Sequence, residues 1–524
     1  MKTLFTNCTV HTFSSSRTFS SMGIEKGRID YLGDDIPKGY GKIVDLKGAH
    51  IAPRLFDSHA HLLYTIALSG QSFFLSEVRA DGVYPRTALK ALERLKEHAR
   101  ENPASKVIVA NGFVPTAFES PRLLTREEID SAVGDRDAVI YTLDGHSSAL
   151  STRMMKNIGL DLKEFPDGIL RGEAHEFNQG RITDYIASRL GIRALANGIA
   201  GFVNNAYEHG LTGFACLDGN EDSDSDFFTR LLAFILSKLP LDIVFYPQYQ
   251  DFEKARDFFG MQRRKRIGGC SSWELDGAVN SRSAAFKTPY KGSEDAGHKY
   301  YDDDTIGEKV KEALDEDILL TAHAIGPCAI EQLLGAYSKH EDRLTASGGM
   351  HRIDHAEFPS RESVDLMKRL PVAVTIQPGF SYMDKRYLNS YKTYLTDEQL
   401  GLLMPLKELS DSGVCLLGSS DSPVQELDPF LQMKGMIHYY NESESIEPEM
   451  AYRTYSINAG VALGRDFSLS VGCEATFNVY GKAPFEELSK DDLLLVYRKG
   501  KRIKRIKHPF PYMLSLLFRR SKLI

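Results

Sequence analysis

Cysteine is scarce in this chain: six in 524 residues, at Cys8, Cys216, Cys270, Cys328, Cys415 and Cys473, with no CxxC pair. Such dispersal excludes a disulfide framework and a cysteine-type zinc site, and it fits the reduced thiols of a cytoplasmic protein. No apolar run reaches the roughly 18 residues a membrane span needs, and the opening MKTLFTNCTVHTF lacks a signal peptide's apolar core. A basic excess is missing as well. Lys and Arg total 64 against 71 Asp and Glu, a net charge of −7 that argues against nucleic acid as a partner. There is no internal repeat and no low-complexity tract. What remains, at 42% hydrophobic and 26% charged residues, is an ordinary globular composition that excludes wholesale disorder. At about 150 residues per domain the length allows three or four domain equivalents, so a large enzyme is the default class.

The order of segments narrows the fold. Short β-rich runs such as LFTNCTVHTF and RIDYLG fill residues 1–54, and ATFNVYGKAP and LLLVYRKGKRI give residues 468–506 the same texture. These two ends are expected to build one small, discontinuous β-sandwich. Between them, apolar strand-like runs alternate with amphipathic helical ones, the signature of βα units around a parallel sheet. The runs are HIAPRLFD, VIVANGF, AVIYTLDG, TGFACLDG, DIVFYPQ, GGCSSWELDG, ILLTAHAIG, HRIDHAEF, AVTIQPGF and VCLLGSSDS, two more than an eight-stranded TIM barrel holds. The expected architecture is therefore α/β: a (β/α)8 barrel over residues 55–467, with a lobe near residues 66–205 inserted between barrel strands 1 and 2 and carrying VIVANGF and AVIYTLDG.

Residues 507–524 form a basic tail. From Arg498 to Ile524 there are ten Lys or Arg and no acid, so the net charge of the whole chain conceals a more acidic body. The apolar FPYMLSLLF in this stretch allows contact with an anionic membrane surface. It is short for an amphipathic helix, and docking on an acidic face of its own or a neighbouring subunit is the favoured reading.

The strongest local signal is Phe56-Asp57-Ser58-His59-Ala60-His61, at the end of the first barrel strand. Alternate side chains of a strand share a face, so His59 and His61 project together and offer two imidazole nitrogens to a borderline metal such as zinc. Three later strand ends add to the pair: His323 in LTAHAIG, His355 in RIDHAE and Asp421 in LGSSDSP. A βα barrel places its active site at those ends. Four histidines and a carboxylate would converge there on a metal centre, mononuclear or at most binuclear. As unconnected polar residues they would carry no chemistry, but four coincident strand ends favour the metal.

This pattern resembles the amidohydrolase superfamily, and within it the YtcJ-like branch of amidohydrolase family 3, to which N-substituted formamide deformylases are related. FDSHAH marks the superfamily. DGHSS at Asp144 to Ser148, GLTGFACLDG, Asp276-Gly277, the run Ser281 to Ala285, HAIG, RIDHAE, IQPGF and GSSDSPV, in this order, point to the branch. The resemblance implies that His59, His61 and His323 bind a divalent metal, in the first instance zinc. It implies that His355 is a further ligand or polarises the substrate carbonyl, and that Asp421 both touches the metal and acts as general base. Asp57 is expected to orient the histidine pair. A homodimer is implied by family habit only.

Departures from the family pattern matter too. Where many relatives carry a lysine four residues before the Asp-Gly, this chain has Ser272, and no lysine occurs between Lys265 and Lys287. One metal ion is accordingly favoured over two. Glu274 either takes the lysine's place or points away. Pro327 stands where the family has an acid after HAIG, and Pro53-Arg54 where it has Pro-Gly. Substrate contacts are expected from His146, from Arg282 with Tyr290, and from Gln377; Glu173 and His175 are weaker candidates. His146 equally suits a helix N-cap environment, and Arg282 a surface ion pair. The expected reaction is hydrolysis of an amide or N-acyl C–N bond in a small molecule by metal-activated water. Deamination of a cyclic amidine or purine-like ring needs the same parts, whereas a non-catalytic binding relative would be expected to have lost ligands.

Overall fold

The structure, a computed structural model, describes residues 2–520 apart from 69–71, 80–81, 104, 220, 222–226, 261, 346–347 and 380–384. Eight parallel strands form its centre: β1 (Leu55–Ala60), β2 (Leu211–Asp218), β3 (Asp242–Pro247), β4 (Arg266–Glu274), β5 (Leu319–Ala324), β6 (His351–His355), β7 (Val372–Ile376) and β8 (Cys415–Gly418). They hydrogen-bond as a sheet of three, ordered β3-β2-β1, and a sheet of five running from β4 to β8. Beyond the ends of β1 and β8 the chain is tied together, with the His61 N–H donating to the Ser422 carbonyl at 2.8 Å and the Asp421 N–H to the His59 carbonyl at 2.9 Å. Every residue of β2, β3 and β4 is buried, and β2 and β3 accordingly read as near-continuous apolar runs and not as alternating ones.

Helices cover these strands through single apolar faces. Helix Asp303–Asp315 starts at Asp302, whose carboxylate accepts the Thr305 N–H at 2.7 Å, and it buries Ile306, Val310 and Ala313. That spacing is one helical stripe, and it enters the same core as Leu320 of β5. Burying a side chain of the Ile or Val type contributes about 1.5–3 kcal/mol.

The two excess strand candidates, Val107–Phe113 and Asp137–Thr142, pair with each other in a separate five-stranded sheet that also contains Ser72–Phe74, Ser147–Leu150 and Ile169–Arg171. All of it lies in the chain between β1 and β2, around a core that includes Leu95, Ile108, Ile129 and Ile140. The chain ends also meet, but in one hydrogen-bonded eight-stranded sheet and not as two separate ones. The long strand Lys42–Pro53 causes this, pairing with Thr3–His11 on one edge and with Phe477–Tyr480 on the other. Arg54 follows it directly. Its guanidinium lies 2.5 Å from the buried Asp242 carboxylate, which Arg498 meets at 2.6 Å, so the residue replacing the usual glycine ties the terminal sheet to β3.

The described part of the basic tail docks on its own chain. Just before it, Asn204 exchanges two hydrogen bonds with the Ile506 backbone; within it, the Arg519 carbonyl accepts from Lys238 Nζ at 2.6 Å and Leu516 is buried. Residues 521–524 lie outside the described region. Among the described residues, no helix is long and apolar enough to cross a membrane.

Candidate metal centre

The end of β1 presents His59 and His61 on one face, and the Nε2 atom of each lies 3.2 Å from Asp421 Oδ1. The His355 ring centroid is 4.9 Å from that of His59 and 4.4 Å from that of His323. All five side chains marked out as ligands by the sequence are thus neighbours. Three of the imidazoles are oriented by a bond from the nitrogen facing away. His61 Nδ1–H donates to the Leu217 carbonyl at 2.6 Å, His323 Nε2–H to the Gly277 carbonyl at 3.4 Å, and His355 Nδ1–H to Gln377 Oε1 at 3.0 Å. The opposite nitrogens keep their lone pairs and turn inward. His355 and Asp421 hold positive φ, at 72° and 55°, a conformation that β-strands do not use and that functional sites retain.

Burial works against charge throughout this cluster. It pushes His323 well down and His355 to about 4, so both rings are neutral and competent as ligands near neutral pH. Burial would also neutralise Asp421, but His59 and His61 beside it hold its carboxyl well below the usual range. His59 and His61 go the other way: despite burial, Asp354 and Asp421 raise His59 to about 9, and Asp421 raises His61. On His59 a proton is held between two carboxylates, where a cation would serve the same purpose.

These residues fit a divalent metal. Asp421 Oδ1 is buried against the Nε2 atoms of His59 and His61, and these three side chains place their donor atoms within 4.8 Å of one another. Two nitrogen or oxygen ligands on a tetrahedral zinc ion stand roughly 3.3 Å apart, from bond lengths near 2.0–2.1 Å. The 3.2 Å separations around Asp421 match that scale. His59, His61 and Asp421 would form one corner of the site, with His323 and His355 opposite.

Several expected roles fall elsewhere. Asp57 accepts backbone N–H groups of His59 and Ser420, fastening β1 to the segment after β8, and it orients no ring. The carboxylate behind His59 is Asp354, 3.4 Å from Nδ1 and itself held by Arg352 at 2.7 Å and Thr321 at 2.8 Å. Gln377 is not turned to substrate: its oxygen holds His355 and its amide nitrogen donates to Ser419 at 2.9 Å. Arg282 is exposed, with its guanidinium over the Tyr394 ring, and Tyr290 is buried on the Ala284 carbonyl. Glu173 lies near His298, and the buried His175 is bonded to Ser148.

His146 does reach the site. Its Nδ1 lies 2.9 Å from Glu176 and 3.5 Å from Glu274, and its ring is 5.0 Å from His323. Burial opposes charge on His146, but the two carboxylates hold its proton well above the ordinary range. Glu274 therefore points into the centre and not away from it. Glu176 is a residue that sequence reasoning missed; the only signal was its place in RGEAHE, beside the weaker candidates. Cys270 was missed as well. Its Sγ lies 3.6 Å from His59 Nε2, 3.9 Å from His323 Nδ1 and 4.0 Å from His355 Nε2, so one of the dispersed thiols stands among the ligand candidates. A cleft of about 110 Å³, lined by Tyr64, Tyr141 and Val424 among others, leads to these groups.

Comparison with known proteins identifies the family. YtcJ of Bacillus subtilis (strain 168), a protein named as an amidohydrolase, is 23% identical over 494 residues, spanning 88% of this chain and 90% of its own. The N-substituted formamide deformylase of Arthrobacter pascens is 22% identical over 504 residues, 88% and 89% of the two chains. The crystal structure of an uncharacterized metal-dependent hydrolase from Pyrococcus horikoshii OT3 superposes with a TM-score of 0.70 at 19% identity, covering 96% of this chain and all of that one, a likeness of fold. The family model described as "Amidohydrolase family" matches residues 42–503, and on that match, which takes in all five clustered ligand candidates, the chain belongs to the amidohydrolase family.

Proposed function

We propose that this amidohydrolase cleaves an amide or N-acyl C–N bond in a small molecule, using one divalent cation, zinc by donor chemistry, with Asp421 as general base. The frame for this reading is a (β/α)8 barrel made of the three- and five-stranded sheets. Residues near 66–205 form a lobe beside its mouth, and His146 and Glu176 reach the centre from that lobe. The observation that carries the proposal is the contact of one buried Asp421 oxygen with both His59 and His61, at the end of a cleft.

When bound, the cation lowers the pKa of water and polarises the scissile carbonyl. The chain's own groups do the rest. Asp421 accepts a proton from the attacking water and returns it to the leaving nitrogen, which is too basic to depart as an anion. The products are a carboxylic acid and an amine. His355, held by Gln377, directs its Nε2 at the reacting region. His146, protonated between Glu176 and Glu274, supplies a hydrogen-bond donor for the substrate.

Two measurements together test the proposal: metal analysis of protein purified without added metal, and product analysis on a panel of N-formyl and N-acetyl amines. The expected result is a bound transition metal and release of amine with carboxylate. Less than about half an equivalent of zinc, iron or manganese, with no hydrolysis after reconstitution, would sink the reading. Ammonia released from a cyclic amidine, with the amides untouched, would replace it by deamination.

A further inference from the structure

The fourth strand contributes a side chain that the hydrolytic reading leaves unused. β4 pairs with β5 in step up to Gly269, which stands opposite Ala322, but the next partner of His323 is Glu274. Residues 270–273 are therefore pushed out of the ladder as a bulge. Two glycines permit it. Gly268 and Gly269 have φ of 108° and 126°, and a Cβ on Gly268 would stand 1.8 Å from the Thr321 carbonyl oxygen. The bulge is then pinned on three sides: Cys270 N–H donates to Gln248 Oε1 at 2.7 Å, Ser271 N–H to Glu274 Oε1 at 2.9 Å, and Trp273 Nε1–H to the Tyr249 carbonyl at 3.0 Å.

The result is a buried thiol facing three imidazole nitrogens at 3.6, 3.9 and 4.0 Å, from His59, His323 and His355. A thiol has one proton and cannot satisfy three rings. A purely structural cysteine would sit among apolar groups, whereas this one is grouped with the buried Glu274 carboxylate and the His323 ring. On a tetrahedral zinc ion, a sulfur at about 2.3 Å and a nitrogen at about 2.0–2.1 Å stand roughly 3.6 Å apart. We propose that Cys270 is a metal ligand of this centre, placed by the bulge so that its sulfur faces both the His59 side and the His323–His355 side. On binding, the thiol releases its proton to solvent and the sulfur bonds the cation as thiolate. This inference rests on the metal centre of the proposed function.

The test uses the full chain reconstituted with cobalt(II), its cobalt content measured alongside its absorption spectrum. The expected result is a near-ultraviolet sulfur-to-cobalt charge-transfer band that Cys270→Ser abolishes and Cys473→Ser retains. If Cys270→Ser does not fold, X-ray absorption at the zinc edge of the unmodified holoprotein decides, with a sulfur shell expected at about 2.3 Å. Bound metal with only nitrogen and oxygen neighbours, or a band that persists in Cys270→Ser, overturns the assignment and leaves the proposed function standing. Failure to bind any cation overturns both.

Discussion

Asp421 and Asp354 flank His59, 3.2 Å from its Nε2 and 3.4 Å from its Nδ1 respectively. Replacing Asp421 by Asn removes the proton acceptor, and kcat/KM for amide hydrolysis should fall about 10²–10⁴-fold, measured at saturating metal. Asp354→Asn should act through the metal instead. Losing the carboxylate behind a ligating histidine weakens cation affinity about 10–100-fold, which chelator competition measures while a melting curve checks that the variant is folded. The sequence made the five clustered ligand candidates legible because each follows a simple rule: two histidines one residue apart on a strand, and three polar residues that each close an apolar run. Asp354 was hidden because it precedes His355 on the same strand and should face the other way. It does face away from the cleft, and its role is visible only once Arg352 and Thr321 are seen around it.

At the level of elements, the bulge in β4 is what sequence periodicity could not foresee. Strand reasoning assumes that side chains alternate, and four residues outside the ladder break the count, so periodicity leaves the direction of Glu274 open and gives Cys270 no place at the centre. The glycine pair before it is the local signal. Gly268→Ala should destabilise the fold by about 1–3 kcal/mol or more, since the new Cβ meets both a forbidden φ and the Thr321 carbonyl; chemical denaturation measures it. Glu176 was hidden for a different reason. It lies 98 positions before Glu274, and nothing local announces that the two will share one histidine. The ten strand candidates, by contrast, were readable from apolar runs alone, down to the two that pair in a separate sheet. The terminal sheet was half readable: texture showed that both ends are β-rich, but not that one long strand would join them.

Across the whole molecule, Asp242 links the terminal sheet to the parallel strands through Arg54 and Arg498. Burial would raise its pKa, but the two guanidinium groups hold it well below the usual carboxylate range. Its contribution to stability is therefore complete above the unfolded value of about 3.9 and is lost as the pH falls through the folded one. Asp242→Asn leaves buried arginines without their partner and should cost about 3–5 kcal/mol at neutral pH, with a flatter acid limb in thermal melts than the parent chain shows. The central claim, that strand ends far apart in sequence hold one catalytic cation, has its most direct test in anomalous diffraction at the metal edge from crystals of the metal-loaded protein. The account predicts a peak within about 2.0–2.3 Å of the His59 and His61 Nε2 atoms and of Asp421. A metal-loaded crystal whose peak lies away from these residues would contradict it.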